Sequence, residues 1–328
     1  MPGRVLVTGA SVFIGRYLVG DLQARGYQVR ASARAPLEYM LPGVEYAVLP
    51  DLSKPFDARP VVARVDAVVH LAGLEHSTAV LPEAQYQAVN TNAVRRFAEA
   101  ARVAGVRRFV FVSSVRAQCG PSVEGAVDED RVPGATDAYG RSKRAAEQAL
   151  AEALSGSNVA WTIFRPVLVY GPGVKGNMRT LFRLARSHAP LPVKTFTGRH
   201  SVLSLGNLAS AIYQALTSEL TKGNTYLVAD AAPLTVGEMI VALRSGLDRA
   251  PGLVPFPQTI TSAALKALGR KALADRLFAD LIVDTAKLRA TGWSPAEDTR
   301  TALAAAIRDD ANVQARRCTR RPLAAALP

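Results

Sequence analysis

The run from Arg4 to Gly15 restricts the fold more than any other stretch of the chain. Arg4-Val5-Leu6-Val7 is an apolar run of buried-strand length, and Thr8-Gly9-Ala10-Ser11-Val12-Phe13-Ile14-Gly15 follows without a gap. A helical pattern then continues to about Arg25, with Ile14, Leu18 and Leu22 on one face. Strand, glycine turn and helix start, in that order, aim backbone N–H groups and the positive end of the helix dipole at one point. That arrangement suits a pyrophosphate.

The alternation repeats. Residues 27–33, 66–71, 107–112 and 160–166 read as further strands. Helical patterns cover about Glu83 to Ala104 and Tyr139 through Leu154. Strands alternating with helices predict an α/β chain with a doubly wound parallel sheet over residues 1–172. Elements at about 200–228 resemble a strand and helix returning to it. Residues 173–199 and 229–312 form a smaller, mostly helical lobe, with helices opening at Gly176 and covering about 234–247, 260–268, 273–281 and 299–311. Residues 313–328 hold Arg316, Arg317, Arg320 and Arg321 and read as a basic, disordered tail.

The chemistry lies between Arg107 and Lys143. Arg107-Arg108-Phe109-Val110-Phe111-Val112 ends in Ser113-Ser114, and Tyr139-Gly140-Arg141-Ser142-Lys143 opens the next helix. Tyr139 and Lys143 are four apart and share one helix face. A cation beside a phenol favours phenolate and lowers its pKa from about 10. A phenol so tuned exchanges a proton with a carbinol near neutral pH. A Ser hydroxyl at the strand end can hold the same oxygen.

These motifs together resemble the extended short-chain dehydrogenase/reductase superfamily, in its nucleotide-sugar epimerase and reductase branch. The resemblance covers roughly residues 4–310 and implies a Rossmann fold. Further matches are the element His70-Leu71-Ala72-Gly73, the run Arg165-Pro166 to Val169-Tyr170-Gly171-Pro172-Gly173, and the closing Asp284 to Pro295 segment. By carry-over, Tyr139 is acid/base, Lys143 lowers its pKa and holds the nicotinamide ribose, and Ser114, rather than Ser113, orients the substrate oxygen. The cofactor set becomes Gly9, Ser11, Val12, Phe13, Ile14, Arg34, Asp51, Leu52, Leu71, Ala72, Gly73, Asn90, Tyr139, Lys143 and Pro166. Substrate contacts fall to Ser114, Asn177 and Arg199.

Two departures bear on the cofactor. Val12 stands where the superfamily keeps a glycine close to the phosphates. The second strand ends in Ala31-Ser32-Ala33-Arg34 with no carboxylate for a ribose 2′-hydroxyl. Arg34, with Ser32 as a second donor, suits a 2′-phosphate instead, so NADP is expected over NAD. The resemblance therefore implies an NADP(H)-dependent reductase or epimerase acting at C4 of a nucleoside-diphosphate sugar, such as a UDP-hexose or UDP-N-acetylhexosamine. A dehydratase would place an Asp-Glu pair after the active-site hydroxyl, where Val115-Arg116 stand. A steroid- or flavonoid-type ketone reductase and a non-catalytic NADP-binding protein stay open as alternatives.

Composition bounds the rest. The net charge of +13 comes from 40 basic and 27 acidic residues. The cations are scattered without interleaved aromatics, which favours phosphate-bearing substrates over nucleic acid. Two cysteines make no disulfide framework and fit a cytoplasmic protein. Four histidines without Cys/His spacing predict no metal site. No apolar run reaches membrane-spanning length, so no membrane partner is expected; a homodimer is left open.

Overall fold

The computed structural model describes residues 3–35, 41–75, 81–131, 133–269 and 277–319. Seven parallel strands make the central sheet: β1 Arg4–Thr8, β2 Gln28–Ala33, β3 Glu45–Val48, β4 Ala67–His70, β5 Arg108–Val112, β6 Ala160–Pro166 and β7 Asn224–Val228. Their spatial order is β7-β6-β5-β4-β1-β2-β3. The chain moves outward from β1 to β3 and then crosses back to lay β4 on the other side of β1. That reversal opens a crevice at the carboxyl ends of β1 and β4, where open α/β sheets take their ligands.

Strand periodicity supplies both faces. Val5 and Val7 enter one apolar cluster while Leu6 enters the other. On the Val5 face lie helix α1 (Phe13–Ala24), through Leu18 and Leu22, and the later helix Leu205–Thr217, through Leu208 and Ile212. The Leu6 face is covered by α2 (residues 83–103) and α3 (Ala138–Leu154), with Phe97, Ala101, Leu150 and Leu154 against Phe109 and Phe111. Within α2, Gln87–Asn92 form a π-helical turn. Such turns often mark functional positions.

The second lobe has its own core. Around it lie helices α4 (Gly176–Arg186), α6 (Val236–Ser245) and α7 (Thr299–Thr319), while the Leu205–Thr217 helix, α5, belongs to the sheet. Met178, Phe182, Met239, Leu243, Leu303 and Ile307 from α4, α6 and α7 pack with Tyr170. Helix α6 begins two residues later than periodicity predicts. Leu234–Thr235 pairs with Arg199–His200 instead, and Thr235 then caps the helix in a reciprocal bond with Glu238. Of the helix expected at 273–281, residues 273–276 lie outside the described residues, and Leu281 is already extended, bridged to His200. The tail boundary drawn at 313 falls inside α7, whose backbone stays helical through Thr319. Residues 320–328 lie outside the described residues. Among the described residues no helix is long and apolar enough to cross a membrane, and no His/Cys/Asp/Glu cluster could hold a metal ion.

Candidate active site

The end of β5 sends two adjacent hydroxyls in opposite directions, as an extended backbone must. Ser113 turns inward and donates to Glu147 Oε1 at 2.6 Å. Ser114, also extended, accepts from the Arg116 amide at 3.2 Å and is hydrogen-bonded to the Tyr139 hydroxyl. Helix α3 brings Tyr139 there. Asp137 caps the helix by accepting from the Gly140 amide at 2.7 Å. Gly140 is required for the approach, since a Cβ would lie 2.2 Å from the Arg116 carbonyl oxygen.

Lys143, one turn along, is buried. Its ammonium donates to the Val112 carbonyl at 3.2 Å and lies 4.9 Å from the Phe111 ring centroid. Burial pulls it down to about 8, against the opposing charges of Glu147 and Glu75. The expectation of a Tyr139 hydroxyl tuned below its usual value by Lys143 is overturned. Burial pushes that hydroxyl up to about 12, the Glu75 and Asp137 carboxylates add to the rise, and the Ser114 hydrogen bond and Arg116 charge oppose it. In this state the phenol is protonated at neutral pH.

The strand–turn–helix at the crevice fits a dinucleotide phosphate. Gly9 has φ +70, and a Cβ there would approach the Ala72 amide nitrogen to 3.0 Å, so glycine keeps the floor of the turn low. Val12 precedes α1 in extended conformation (φ −93, ψ 174) without a side-chain cap, leaving the first-turn N–H groups of α1 to another acceptor. Ser11 and Val12 are exposed at this turn, and Phe13 and Ile14 are half-buried. Val12 is under no backbone strain and is 40% exposed at the turn. Thr8 joins the two sides of the crevice, its Oγ1 accepting from the Leu71 and Ala72 amides at 3.2 Å each and contacting His70 Nδ1 at 3.1 Å. His70 is fully buried among Phe97, Phe109 and Phe111, and burial holds it at about 3, neutral at any physiological pH. Its place is structural.

Asn90, in the π-turn, accepts from the Leu74 amide at 2.7 Å and donates to Ser142 Oγ at 2.9 Å. It ties the turn after β4, including Gly73, to the Tyr139 helix. Arg34 is exposed just past β2, close enough for its charge to bear on Asp51. The exposed Asp51 carboxylate, held below its usual range, accepts from Ser53, while Leu52 turns into the core. Ser32 is fully buried and its Oγ has no partner among the described residues, so it is no second donor at the surface. Arg30 is also buried, donating to the Val61 and Ala63 carbonyls and paired with Glu45. Pro166 closes β6 beside Val228. Asn177 is exposed in the first turn of α4. Arg199 donates to the Pro233 carbonyl at 2.7 Å and lies 3.7 Å from Glu238.

Sequence reasoning missed the polar core beneath Ser113. Arg165 donates to both Glu147 oxygens, at 2.9 and 2.6 Å, and to Gln118 Oε1 at 2.7 Å. Gln118 Nε2 in turn donates to the Asp128 and Arg131 carbonyls. All three side chains are buried. The network fixes β6, α3 and the 118–131 excursion against one another behind the reacting groups. A signal was available, because Glu147 lies four residues after Lys143 on the inward helix face.

The model of the NAD dependent epimerase/dehydratase family matches residues 5–229. The UDP-glucose 4-epimerase of Vibrio cholerae is 30% identical over 303 residues, covering 90% of this chain and 92% of that one. Ceramide reductase of Caulobacter vibrioides is 32% identical over 212 residues, covering 64% of this chain and 60% of its own. Among solved structures, UDP-N-acetylglucosamine 4-epimerase from Bacillus cereus superposes with a TM-score of 0.75 over 95% of this chain and 99% of that one, at 17% identity. That likeness speaks for the fold.

Proposed function

The chain belongs to the NAD-dependent epimerase/dehydratase family, and on that premise we propose that it is a nicotinamide-dependent 4-ketoreductase or 4-epimerase of a nucleoside-diphosphate sugar, of UDP-hexose or UDP-N-acetylhexosamine type. The observation that carries the reading is the hydrogen-bonded Ser114–Tyr139 pair with Lys143 buried one turn away, at the carboxyl edge of the sheet. The bound nicotinamide would supply or take the hydride at C4. Tyr139 gives the C4 oxygen its proton or removes it, and Ser114 holds that oxygen in place. The α1 N-terminus and the Gly9 turn hold the cofactor phosphates, with Leu71, Ala72, Gly73 and Lys143 along the nicotinamide side. Asn177 and Arg199 are assigned to the substrate diphosphate.

The high hydroxyl of Tyr139 supports the reductive direction, because a protonated phenol is the acid that a carbonyl needs. Val12 supports it as well. An isopropyl group at the glycine turn loosens cofactor retention; a reductase exchanges its cofactor every turn, whereas an epimerase keeps it. A panel of UDP-sugars and UDP-4-keto sugars, followed by nicotinamide absorbance and product analysis with each cofactor, tests the reading. Turnover of the keto sugar with NADPH is the expected result, and no turnover of any member would end it. One observation favours a second reading, a ketone reductase acting on a substrate without a diphosphate: Arg199 is already engaged by Pro233 and Glu238. Steroid and long-chain ketones belong in the same panel.

The same assay addresses cofactor choice. NADP(H) is expected over NAD(H), with Arg34 as the 2′-phosphate donor. Arg34→Ala should cut the preference by roughly ten- to a hundredfold, the worth of one charge-assisted bond. Tighter NAD(H) binding by the unaltered protein would remove Arg34 from the cofactor site.

A further inference from the structure

We propose that Arg116 is a positioning residue that clasps the turn carrying Ser114 to the helix end carrying Tyr139, and so sets the distance at which hydroxyl and phenol close on one substrate oxygen. The proposal rests on the reading that Ser114 and Tyr139 handle that oxygen.

Three parts of one residue make the clasp. The Arg116 amide donates to Ser114 Oγ at 3.2 Å and fixes that side chain from below. Its carbonyl oxygen abuts the first turn of α3 at Gly140, where no side chain would fit. The guanidinium reaches forward, Nη2 donating to Thr136 Oγ1 at 3.3 Å and to Asp137 Oδ2. Asp137 is the residue that caps α3 through Gly140, immediately before Tyr139. Turn, helix cap and catalytic pair are thereby linked through one residue, its main chain holding Ser114 and Gly140 and its side chain holding Thr136 and Asp137.

The guanidinium is held there at a cost. Its Nε and Nη1 are buried with no hydrogen-bond partner among the described residues. A group selected for hydrogen bonding alone would not leave two donors unmet. Its charge also bears on the phenol. The groups facing Tyr139 are Glu75 from the segment after β4, Asp137 at the cap, Arg116 and Ser114 from the turn after β5, and the Tyr86 ring of α2 at 6.2 Å. Glu75 and Asp137 push the hydroxyl up, and Arg116 is a cation pulling it down. Meanwhile Lys143 donates to the Val112 carbonyl. The residue therefore acts on geometry and on charge together.

Arg116→Gln and Arg116→Lys in the full chain test this by crystal structure and by kinetics across pH. In Arg116→Gln the Ser114–Tyr139 hydrogen bond should be broken and kcat should fall by roughly ten- to a hundredfold, as a misplaced reacting group costs. KM and cofactor affinity should stay within about twofold, and the alkaline rise of carbinol oxidation should move to higher pH. Arg116→Lys should bring the pH profile back while recovering kcat only in part, because an ammonium restores charge without the planar fork. An intact hydrogen bond with unchanged kcat overturns the proposal. So does a loss confined to KM, which would make Arg116 a substrate contact. If the unaltered enzyme turns over nothing, the functional reading has failed, and the two variant structures still decide whether the clasp exists.

Discussion

Tyr139→Phe should lower turnover of the true substrate by about 10²–10⁴-fold, the range that a positioned acid contributes, while cofactor affinity stays within about twofold. The substitution removes one oxygen. The ring keeps its edge-on packing against Tyr86, with centroids 6.2 Å apart, so α2 and α3 have no reason to move. What disappears is the hydrogen bond to Ser114 and, on the proposed mechanism, the proton for the substrate oxygen. Direction and pH separate this from a general loss of structure. Carbonyl reduction uses the protonated phenol, present well above neutral pH when the hydroxyl lies at about 12. Carbinol oxidation uses the phenolate and should climb with pH through the alkaline range. Steady-state kinetics in both directions, beside a fluorescence titration of cofactor, checks the whole pattern. Near-normal turnover by Tyr139→Phe would take the acid/base role away from this residue.

Lys143→Met should make the protein inactive and more stable. Lys143 is 5% exposed, and burial draws its ammonium from the usual 10.5 to about 8. A depression of that size disfavours the charged form by about 3 kcal/mol. Because the folded chain binds this proton less tightly than the unfolded chain, its stability is diminished below pH 8 and recovers as pH rises from about 8 towards 10.5. Methionine has a similar reach and carries no charge to desolvate. The variant should therefore gain about 1–3 kcal/mol at pH 7, less the bond to the Val112 carbonyl, with the gain fading by about pH 10. Urea unfolding at both pH values measures it. A variant less stable than the parent at pH 7 would mean that Glu147, Glu75 and the Phe111 ring already compensate the buried cation. Stability lost to keep a reactive cation in place is a common trade at active sites.

Much of the fold was readable because its signals are local. Residues 160–166 form a strand with the bounds their apolar pattern gives, and α3 runs through Leu154 as its spacing indicates. The glycine turn opens α1 in the register the sequence sets. Pairing of Tyr139 with Lys143 on one helix face follows from 3.6-residue periodicity alone. The sign of the Tyr139 shift was not readable, because it depends on depth and on Glu75 and Arg116, which tertiary structure brings from other elements. The partners of charged residues were not readable for the same reason. Arg30 and Arg165 lie within strands, and only the folded chain sets each against carbonyls or a carboxylate. Arg199 is a substrate contact by resemblance, and the pairing with Thr235 that sets it beside Glu238 joins segments far apart in sequence.

The pairing of β7 with β6 has a bearing on how the chain is made. Asn224 to Val228 lie against Thr162 to Pro166, with α4, part of the second lobe, drawn out between them in sequence. On the ribosome, β6 emerges with one edge bare and remains so until residue 228 has cleared the exit. For that interval the nascent sheet presents a template that a neighbouring chain could extend. The second lobe is thus begun before the first is sealed, and the two cannot be synthesised as independent units in series.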